Sequence, residues 1–334
     1  MSEPVRVGLN GFGRIGRNVF RASLENDAVD IVGINDVMDD DEIDYFAQYD
    51  TVMGELPGAG VEDGVLTVEG TDFEAGVFHE TDPTALPWDD LDVDVAFEAT
   101  GIFRTKEDAS QHLDAGADKV VISAPPKGEE PVKQLVYGVN HDEYDGEDVV
   151  SNASCTTNSI TPVAKILDEE FGIEAGQLTT VHAYTGSQNL MDGPNGKPRR
   201  RRAAAENIIP TSTGAAQATT EVLPQLEGKL DGMAIRVPVP NGSITEFVVD
   251  LSEDVTEGDV NAAFEEAAAG ELEGVLGVTD DDVVSSDITG DPYSSQVDLQ
   301  STNVVGGMTK ILTWYDNEYG FSNRMLDVAE YITE

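Results

Sequence analysis

Residues 5–16 read Val5-Arg6-Val7-Gly8-Leu9-Asn10-Gly11-Phe12-Gly13-Arg14-Ile15-Gly16. The first half is an apolar run typical of a buried strand, and the spacing beyond it predicts a helix through Phe20 to Leu24. Between them, Gly11 allows a tight turn, Gly13 lets a pyrophosphate approach the backbone, and Gly16 lets the helix pack closely on the strand. Because N–H groups at the start of such a helix bind phosphate, the stretch predicts a dinucleotide-binding unit.

Asp36 supports this interpretation, since it ends the next predicted strand and lies 20 residues after Gly16. A carboxylate there accepts hydrogen bonds from both ribose hydroxyls and repels a 2′-phosphate, which favours NAD over NADP. A second interpretation stays open, in which Asp36 is only a turn residue before Val37.

The rest of the chain predicts two domains of different character. Apolar runs at 93–97 and 119–123 flank a helical stretch at 106–115, an alternation typical of a doubly wound parallel sheet. From about Ser151 a helix is followed by longer β-rich runs, at residues 178–184, 233–240, 243–251 and 310–314. We therefore predict an α/β protein with a Rossmann-type doubly wound cofactor domain and an α+β catalytic domain that contains a large, mostly antiparallel sheet.

Composition and charge exclude several classes of protein. Of the 334 residues 40% are hydrophobic, too many for a disordered acidic chain, and no apolar run reaches the roughly 18 residues that span a bilayer. The polar N-terminus does not resemble a signal peptide, and the lone Cys155 forms no internal disulfide, so we expect a reducing, cytoplasmic location.

The net charge is −46, from 65 acidic and 19 basic residues. Such a surface repels nucleic acid and anionic membranes, so we expect neither as a partner. Like charge at this density also opposes the compact state unless salt screens it. These properties are typical of a protein from a salt-accumulating, halophilic cell; an unusually acidic mesophilic protein is the alternative.

Cys155 is the candidate nucleophile because it lies in Ser151-Asn152-Ala153-Ser154-Cys155-Thr156-Thr157-Asn158, where a helix begins and favours the thiolate. A buried small hydrophobe is the alternative role. His182 follows an apolar β-run and is the candidate base, with a structural histidine as the alternative. We expect the other histidines to be solvated: His79, His112 and His141.

Basic residues are scarce, so their placement is informative. The four arginines at 199–202 are typical of a solvated face or an interface. Arg236 lies within an apolar run, where a charge needs a partner, and a bound phosphate is one candidate. Residues 209–215 supply hydroxyls and a glycine turn, either as an anion nest or as a helix N-cap.

Six blocks resemble, in the same order and over essentially the whole chain, those of the phosphorylating glyceraldehyde-3-phosphate dehydrogenase family. The blocks are Asn10–Arg17, Ala153–Asn158, Thr180–Thr185, Ile208–Ala216, Met233–Pro238 and Trp314–Glu318. The resemblance implies oxidation of D-glyceraldehyde 3-phosphate with inorganic phosphate as acyl acceptor, NAD as cofactor, and a homotetramer. It also implies an NAD-binding domain at 1–152, onto which a C-terminal helix at 318–334 packs back, and a catalytic domain at 153–317.

The resemblance further implies roles for individual residues. Cys155 resembles the nucleophile that forms a thiohemiacetal and then a thioester, and His182 resembles the base that accepts the hydroxyl proton. Thr185 and Arg236 resemble the site of the substrate's own phosphate. The attacking phosphate is expected at Ser154, Thr156, Arg200, Thr213 and Gly214. The cofactor is expected at Arg14, Ile15, Asp36, Ser123 and Asn317. No metal site is expected.

Two departures from the family pattern bear on cofactor choice. Thr81 stands where an arginine is usual, and Gly193 replaces a larger apolar residue in the loop that discriminates the two nicotinamide cofactors, so NADP stays an alternative. Two other functions stay open at this point. One is an erythrose-4-phosphate dehydrogenase, a relative in which water is the acyl acceptor, and the other is a non-catalytic NAD-binding paralogue.

We predict that the protein dissociates or unfolds at low ionic strength, because a net charge of −46 is then poorly screened. The melting temperature should rise as KCl is increased from about 0.1 M to about 3 M, since the Debye length falls from roughly 10 Å to below roughly 3 Å. The same series in choline chloride separates screening from a specific effect of potassium. A melting temperature that does not move with salt would refute this prediction.

Overall fold

The computed structural model describes residues 3–334, which form two compact units of an α/β protein. The first unit contains the chain up to Tyr137 together with residues 141–154 and 322–334. The second contains residues 138–140 and 155–321. Within the part of the chain that is described, no helix is both long enough and apolar enough to span a bilayer.

The first unit contains the strands and short helices that precede Cys155. Its strands are β1 (Val5–Asn10), β2 (Val29–Asn35), β3 (Tyr49–Asp50), β4 (Gly54–Glu55), β5 (Ala59–Glu62), β6 (Val65–Val68), β7 (Glu74–Phe78), β8 (Val95–Glu98), β9 (Lys119–Ile122), β10 (Lys133–Gln134) and β11 (Val149–Ser151). Its helices before Cys155 are α1 (Arg14–Ser23), α2 (Asp40–Gln48), α3 (Lys106–Ala109) and α4 (Gln111–Asp114).

Nine of these strands form one sheet in the order β10-β11-β9-β8-β1-β2-β7-β6-β5. Every neighbouring pair from β10 to β7 is parallel, and β6 pairs antiparallel with both β5 and β7. Because β1 lies between β2 and β8, the winding reverses at β1 and opens a crevice beyond the carboxyl ends of these three strands. The predicted doubly wound fold is confirmed.

The second unit is built on an eight-stranded mixed sheet that packs against buried helices. Its strands are β12 (Ile173–Ala183), β13 (Ile209–Ser212), β14 (Leu230–Val237), β15 (Ser243–Leu251), β16 (Leu276–Thr279), β17 (Ser295–Asp298), β18 (Asn303–Val305) and β19 (Met308–Tyr315). Its helices are α5 (Cys155–Phe171), α6 (Ala215–Val222) and α7 (Glu257–Ala268), and α8 (Tyr319–Thr333) begins here and continues into the first unit.

The order of this sheet is β13-β14-β12-β15-β19-β17-β16, with β18 paired to β19. Only the pairs β12·β14 and β16·β17 are parallel, so the expectation of a mostly antiparallel sheet is confirmed. The register places His182 opposite Arg236 across β12 and β14, and Ser243 opposite Tyr315 across β15 and β19. Four polar side chains therefore lie near the same end of four adjacent strands in the interior of the sheet.

The expectation that His112 is solvated is wrong. The residue is fully buried, because α4 turns it towards the sheet of the first unit. Trp88 donates its indole N–H to His112 Nδ1 at 3.2 Å, and Nε2 lies 3.2 Å from a carboxylate oxygen of Glu98. A histidine on a short, mostly polar segment gave no apolar periodicity that could have predicted this burial.

His79 is exposed, as expected, and its Nε2 lies 2.9 Å from an Asp40 carboxylate oxygen. His141 is half-buried, which corrects the expectation of a solvated residue. Its ring centroid lies 4.7 Å from the ring centroids of both Tyr137 and Tyr331, and Tyr331 comes from the C-terminal helix. Tyr331 is distant from His141 in the chain, so this contact could not be predicted from sequence spacing.

Gly13 and Gly16 give a matched pair of substitutions. A Cβ on Gly16 would overlap the carbonyl oxygen of Gly11, whereas a Cβ on Gly13 meets nothing within 4 Å. We predict that Gly16→Ala lowers the free energy of unfolding by about 1–3 kcal/mol through overpacking. Gly13→Ala should keep the wild-type stability and weaken NAD binding, because its methyl group occupies the space that the pyrophosphate approaches.

Denaturant unfolding and calorimetric titration with NAD, both in molar KCl, test the two effects separately. Equal stability of the two variants would contradict the close packing at Gly16. An unchanged affinity of Gly13→Ala for NAD would contradict the approach of the pyrophosphate to Gly13.

Candidate active site

The candidate cofactor site in the first unit lies beyond the carboxyl ends of β1, β2 and β8. Asp36 follows β2, and its Oδ2 accepts a hydrogen bond from the backbone N–H of Phe12 at 2.6 Å. Its Oδ1 accepts from Met38 N at 3.1 Å, which closes a local turn. These contacts fit the turn interpretation of Asp36. Binding of ribose hydroxyls stays a prediction, for which two of the carboxylate's roughly four acceptor positions remain.

Arg14 and Ile15 lie in the first turn of α1, where backbone N–H groups point out of the helix towards an anion. The Arg14 side chain pairs with Asp50. Burial would raise the pKa of Asp50, but Arg14 and the backbone N–H groups of Met53 and Val52 outweigh it and hold that pKa below its usual value. The guanidinium of Arg14 thus holds the loop at Asp50, and the role of Arg14 in cofactor binding stays a prediction.

Glu98 is a functional candidate that sequence reasoning missed. It is fully buried at the end of β8, and its carboxylate accepts from Asn10 Nδ2 at 2.7 Å and from Thr100 N at 2.9 Å. Asn35 Nδ2 in turn donates to Asn10 Oδ1 at 2.7 Å, so one hydrogen-bonded chain ties together the ends of β8, β1 and β2. An acidic residue that ends the apolar run 93–97 was the available signal.

The residues around this chain of hydrogen bonds fit a dinucleotide. Ser123 follows β9 and donates its N–H to the carbonyl of Glu98 at 3.0 Å. The apolar side chains of Val37 and Ile102, which follow β2 and β8, are 74% and 73% exposed and offer contact for a base. Together with the open space over Gly13, these groups match the phosphate, ribose and base of NAD.

Cys155 is the first residue of α5, and its Sγ lies 3.5 Å from His182 Nε2. Ala153, two residues earlier, has a φ of +55°, a left-handed conformation that costs energy for any residue other than glycine. The sharp turn directs the chain into α5 so that the half-buried thiol meets the imidazole. The candidate nucleophile and base are therefore within reach of each other.

His182 Nδ1 has two neighbours that bear on the position of its proton. It lies 2.8 Å from the carbonyl of Ala183 and 2.9 Å from Arg236 Nη1, which itself donates to that carbonyl at 2.8 Å. A hydrogen bond from Nδ1 to the carbonyl requires the proton on Nδ1, whereas a hydrogen bond from Arg236 to Nδ1 requires it on Nε2. With the proton on Nδ1, the lone pair of Nε2 faces Cys155. His182 can then accept a proton from the thiol.

Burial and the charge of Arg236 lower the pKa of His182 to about 3, so the imidazole is uncharged at neutral pH and is a weak base in the free protein. Burial raises the pKa of the Cys155 thiol, although Arg236 and hydrogen bonds from Thr156 oppose that rise. The resting pair is therefore a thiol and a neutral imidazole.

Tyr315 was also missed. Its hydroxyl lies 3.0 Å from Thr156 Oγ1 and 2.8 Å from Thr180 Oγ1, and its ring meets the ring of His182 edge-on at 5.9 Å. Burial raises the pKa of Tyr315 to about 12, so it stays protonated. Thr156, expected at the attacking phosphate, directs its hydroxyl to Tyr315 and the thiol.

Asn317 lies in the second unit and is held in one orientation. Ser243 Oγ accepts from Ala183 N at 3.1 Å and donates to Asn317 Oδ1 at 2.8 Å. Asp316, which is 1% exposed, fixes the backbone by accepting from Asn241 and from three backbone N–H groups. The NH₂ group of Asn317 therefore remains available to donate to a ligand such as the carboxamide of nicotinamide.

The candidate anion-binding groups of the second unit lie on β12, β14 and the segments around β13. Thr185 Oγ1 lies 2.8 Å from Ser187 Oγ, which accepts from Arg200 Nη1 at 3.0 Å. Thr213 Oγ1 accepts from Ala215 N at 3.1 Å at the start of α6, whose N-cap is Gly214. Ser187 thus connects residues expected at two different phosphates, which sequence reasoning did not foresee. Ser154 is half-buried immediately before Cys155.

A doubly wound nucleotide-binding unit followed by a second unit with a paired thiol and imidazole defines an NAD-dependent dehydrogenase. The family model described as glyceraldehyde 3-phosphate dehydrogenase, NAD binding domain, matches residues 5–106. The model described as the C-terminal domain of the same enzyme matches residues 154–317. The chain belongs to the glyceraldehyde-3-phosphate dehydrogenase family.

Curated relatives agree over the full length. Glyceraldehyde-3-phosphate dehydrogenase of Haloarcula vallismortis, a halophile, is 92% identical and covers 100% of both chains. Glyceraldehyde-3-phosphate dehydrogenase 2 of Streptomyces avermitilis is 52% identical, with 98% of each chain covered. Glyceraldehyde-3-phosphate dehydrogenase 1 of Bacillus subtilis is 50% identical, with 99% of this chain and 98% of the relative covered.

We predict that Arg236→Leu raises the pKa of His182, because the nearby positive charge disfavours the imidazolium. The pKa should stay below the ordinary value of 6.5, since burial is the larger cause and persists. NMR titration of protein labelled in its four histidines measures it directly. Arg200→Leu is the control, with a smaller rise expected from a weaker contributor. An unchanged His182 titration in Arg236→Leu would contradict the assigned electrostatics.

Proposed function

We propose that this protein oxidises D-glyceraldehyde 3-phosphate with NAD and captures the product with inorganic phosphate as 1,3-bisphosphoglycerate. The observation that carries the proposal is the 3.5 Å contact between Cys155 Sγ and His182 Nε2 beside the partly buried Arg236. A thiol, a neutral base and a cation without a carboxylate partner are what covalent oxidation of a phosphorylated aldehyde requires. The relatives named above support the same activity.

Acylation begins when His182 accepts the thiol proton and Cys155 Sγ adds to the aldehyde carbon, giving a thiohemiacetal. NAD, when bound, accepts the hydride that leaves this carbon. His182 passes the thiol proton to the former carbonyl oxygen, which becomes the hydroxyl of the thiohemiacetal. As the hydride leaves, His182 accepts the proton of this hydroxyl, and the carbon becomes a thioester carbonyl. The NH₂ group of Asn317 is the donor that we assign to the nicotinamide carboxamide.

Deacylation is phosphorolysis. An oxygen of inorganic phosphate attacks the thioester carbonyl, the C–S bond breaks, and Cys155 leaves as a thiolate. The thiolate then takes the proton held by His182, which restores the thiol and the neutral imidazole. The proton that the phosphate loses on attack is released to solvent. We assign Ser154, Arg200, Thr213 and Gly214 to this phosphate, and Thr185 with Arg236 to the phosphate of the substrate.

We further propose a homotetramer that works in the cytoplasm of a salt-accumulating cell. The exposed apolar side chains of Leu190, Met191 and Ile208, which are 78%, 74% and 69% exposed, support contact with other copies of the chain. A catalytic thiol requires reducing conditions, and the net charge of −46 requires salt. Light scattering along the KCl series described above tests the assembly, and a monomer in molar KCl would refute it.

The proposal predicts phosphate-dependent NADH formation from glyceraldehyde 3-phosphate, followed at 340 nm in molar KCl. Arms without phosphate, with erythrose 4-phosphate and with NADP separate the alternatives. Phosphate-independent turnover of erythrose 4-phosphate would favour the hydrolytic relative, and preference for NADP would contradict the role of Asp36.

Cys155→Ser should abolish turnover and leave NAD binding measurable by calorimetry, because Cys155 carries the chemistry and Asp36 the cofactor. Full activity of this variant would refute the mechanism, and a wild-type protein that binds NAD but oxidises no aldehyde would support the non-catalytic paralogue.

A further inference from the structure

Lys197 lies at the edge of the candidate anion site, just before the short 3-10 turn Pro198–Arg201. Its Nζ donates to Ser212 Oγ at 2.9 Å. Ser212 ends β13 and is followed by Thr213 and Gly214, which lead into α6. The ammonium group is therefore held beside the segment assigned to the attacking phosphate.

The cations around this segment have no acidic partners. Among residues 3–334, no carboxylate oxygen lies within 4.0 Å of a side-chain nitrogen of Lys197, Arg200 or Arg236. Some other cations of the chain are paired with carboxylates, as Lys165 is with Glu271 at 2.9 Å and Arg202 with Asp192 at 2.8 Å. Three neighbouring cations without such a partner, in a protein with 65 acidic residues, are candidates for binding an anion from solution.

The three cations also repel one another. Partial burial lowers the pKa of Lys197, and the positive charges of Arg200 and Arg236 lower it further. Arg200 likewise lowers the pKa of Arg236, although burial is the larger cause. An anion that binds between like charges lowers the energy of their repulsion.

We propose that Lys197 is a further binding residue for the attacking inorganic phosphate, to which it transfers the hydrogen bond that it makes with Ser212 in the free protein. This inference rests on the proposed function. The hydroxyl of Ser212 holds the ammonium in place while the site is empty. A lysine on a flexible stem suits a group that must bind and then leave within each turnover, because it makes single rather than bidentate contacts.

The position of Lys197 favours the attacking phosphate over the phosphate of the substrate. Its contact is with the end of β13, immediately before the start of α6. Of the two residues assigned to the substrate's phosphate, Thr185 follows β12, and Arg236 lies in β14 beside His182. Loss of Lys197 should therefore affect deacylation and leave acylation unchanged.

We expect Lys197→Ala to raise the KM for phosphate about ten-fold, as loss of a charge-assisted hydrogen bond does, with the KM for glyceraldehyde 3-phosphate and for NAD within about two-fold of wild type. Lys197→Arg should restore most of the affinity. Lys197→Gln, which keeps a donor for Ser212 without the charge, should behave like Lys197→Ala.

The matched control is Arg199→Ala. It removes one positive charge from the same turn, but its contact is with the carbonyl of Pro210 at 3.4 Å and not with a hydroxyl of the site. All assays are run in molar KCl, where the Debye length of roughly 3 Å removes long-range effects and leaves direct contacts. Under these conditions Arg199→Ala should keep the wild-type KM for phosphate.

The first turnover without phosphate separates binding from a general structural effect. The burst of NADH that accompanies acylation of Cys155 should have the wild-type amplitude and rate in Lys197→Ala. A wild-type KM for phosphate in Lys197→Ala, or an equal rise in Arg199→Ala, would overturn the inference. A wild-type protein that forms NADH without needing phosphate would instead overturn the proposed function, so the two failures are distinguishable.

Discussion

The parallel pairing of β12 with β14 is the interaction on which the catalytic unit depends. It places Arg236 directly opposite His182, where both lie 2.8 Å from the single carbonyl of Ala183. That shared acceptor holds the guanidinium 2.9 Å from His182 Nδ1 and keeps it near the thiol, with no carboxylate oxygen within 4.0 Å of it among the described residues. A one-residue slip of register would turn Arg236 to the other face of the sheet and remove both effects. The chemistry of the site is thus set by strand pairing as much as by residue identity.

The charge distribution fits the proposed recognition of anions at contact distance. In molar salt a field from distant charges is screened within a few ångströms, so the surface charge of −46 neither repels nor steers a phosphate effectively. What remains is direct hydrogen bonding from partly buried cations, and burial excludes the salt ions that would otherwise compete. The absence of carboxylates around Arg200 and Arg236, within the chain as described, keeps these donors available. Contact recognition of this kind tolerates both a very acidic surface and a salty solvent.

Sequence reasoning predicted the features that short stretches encode, and failed where distant strands meet. The glycine loop, Asp36, and the start of a helix at Cys155 are local, so spacing and residue type sufficed to predict them. Tyr315 and Glu98 depend on pairing between segments far apart in the chain, and a single sequence does not specify which strands become neighbours. The prediction that His112 is solvated was wrong for the same reason, since its burial follows from contacts with Trp88 and Glu98. The role of Asn317 came from resemblance, while the reason for its orientation, the hydroxyl of Ser243, required the structure.

Arg236 acts differently at the two proton transfers that His182 performs. In the first, its charge favours the thiolate of Cys155 and disfavours the imidazolium, so the two effects largely cancel for the ion pair. In the second, the proton comes from the hydroxyl of the thiohemiacetal, and only the repulsion of the imidazolium remains. In the mechanism that we propose, the substrate's phosphate pairs with Arg236, neutralises that repulsion and so raises the proton affinity of His182. Under that assignment, binding of the remote phosphate assists the oxidation itself, as interactions away from the reacting carbon do when they lower a barrier.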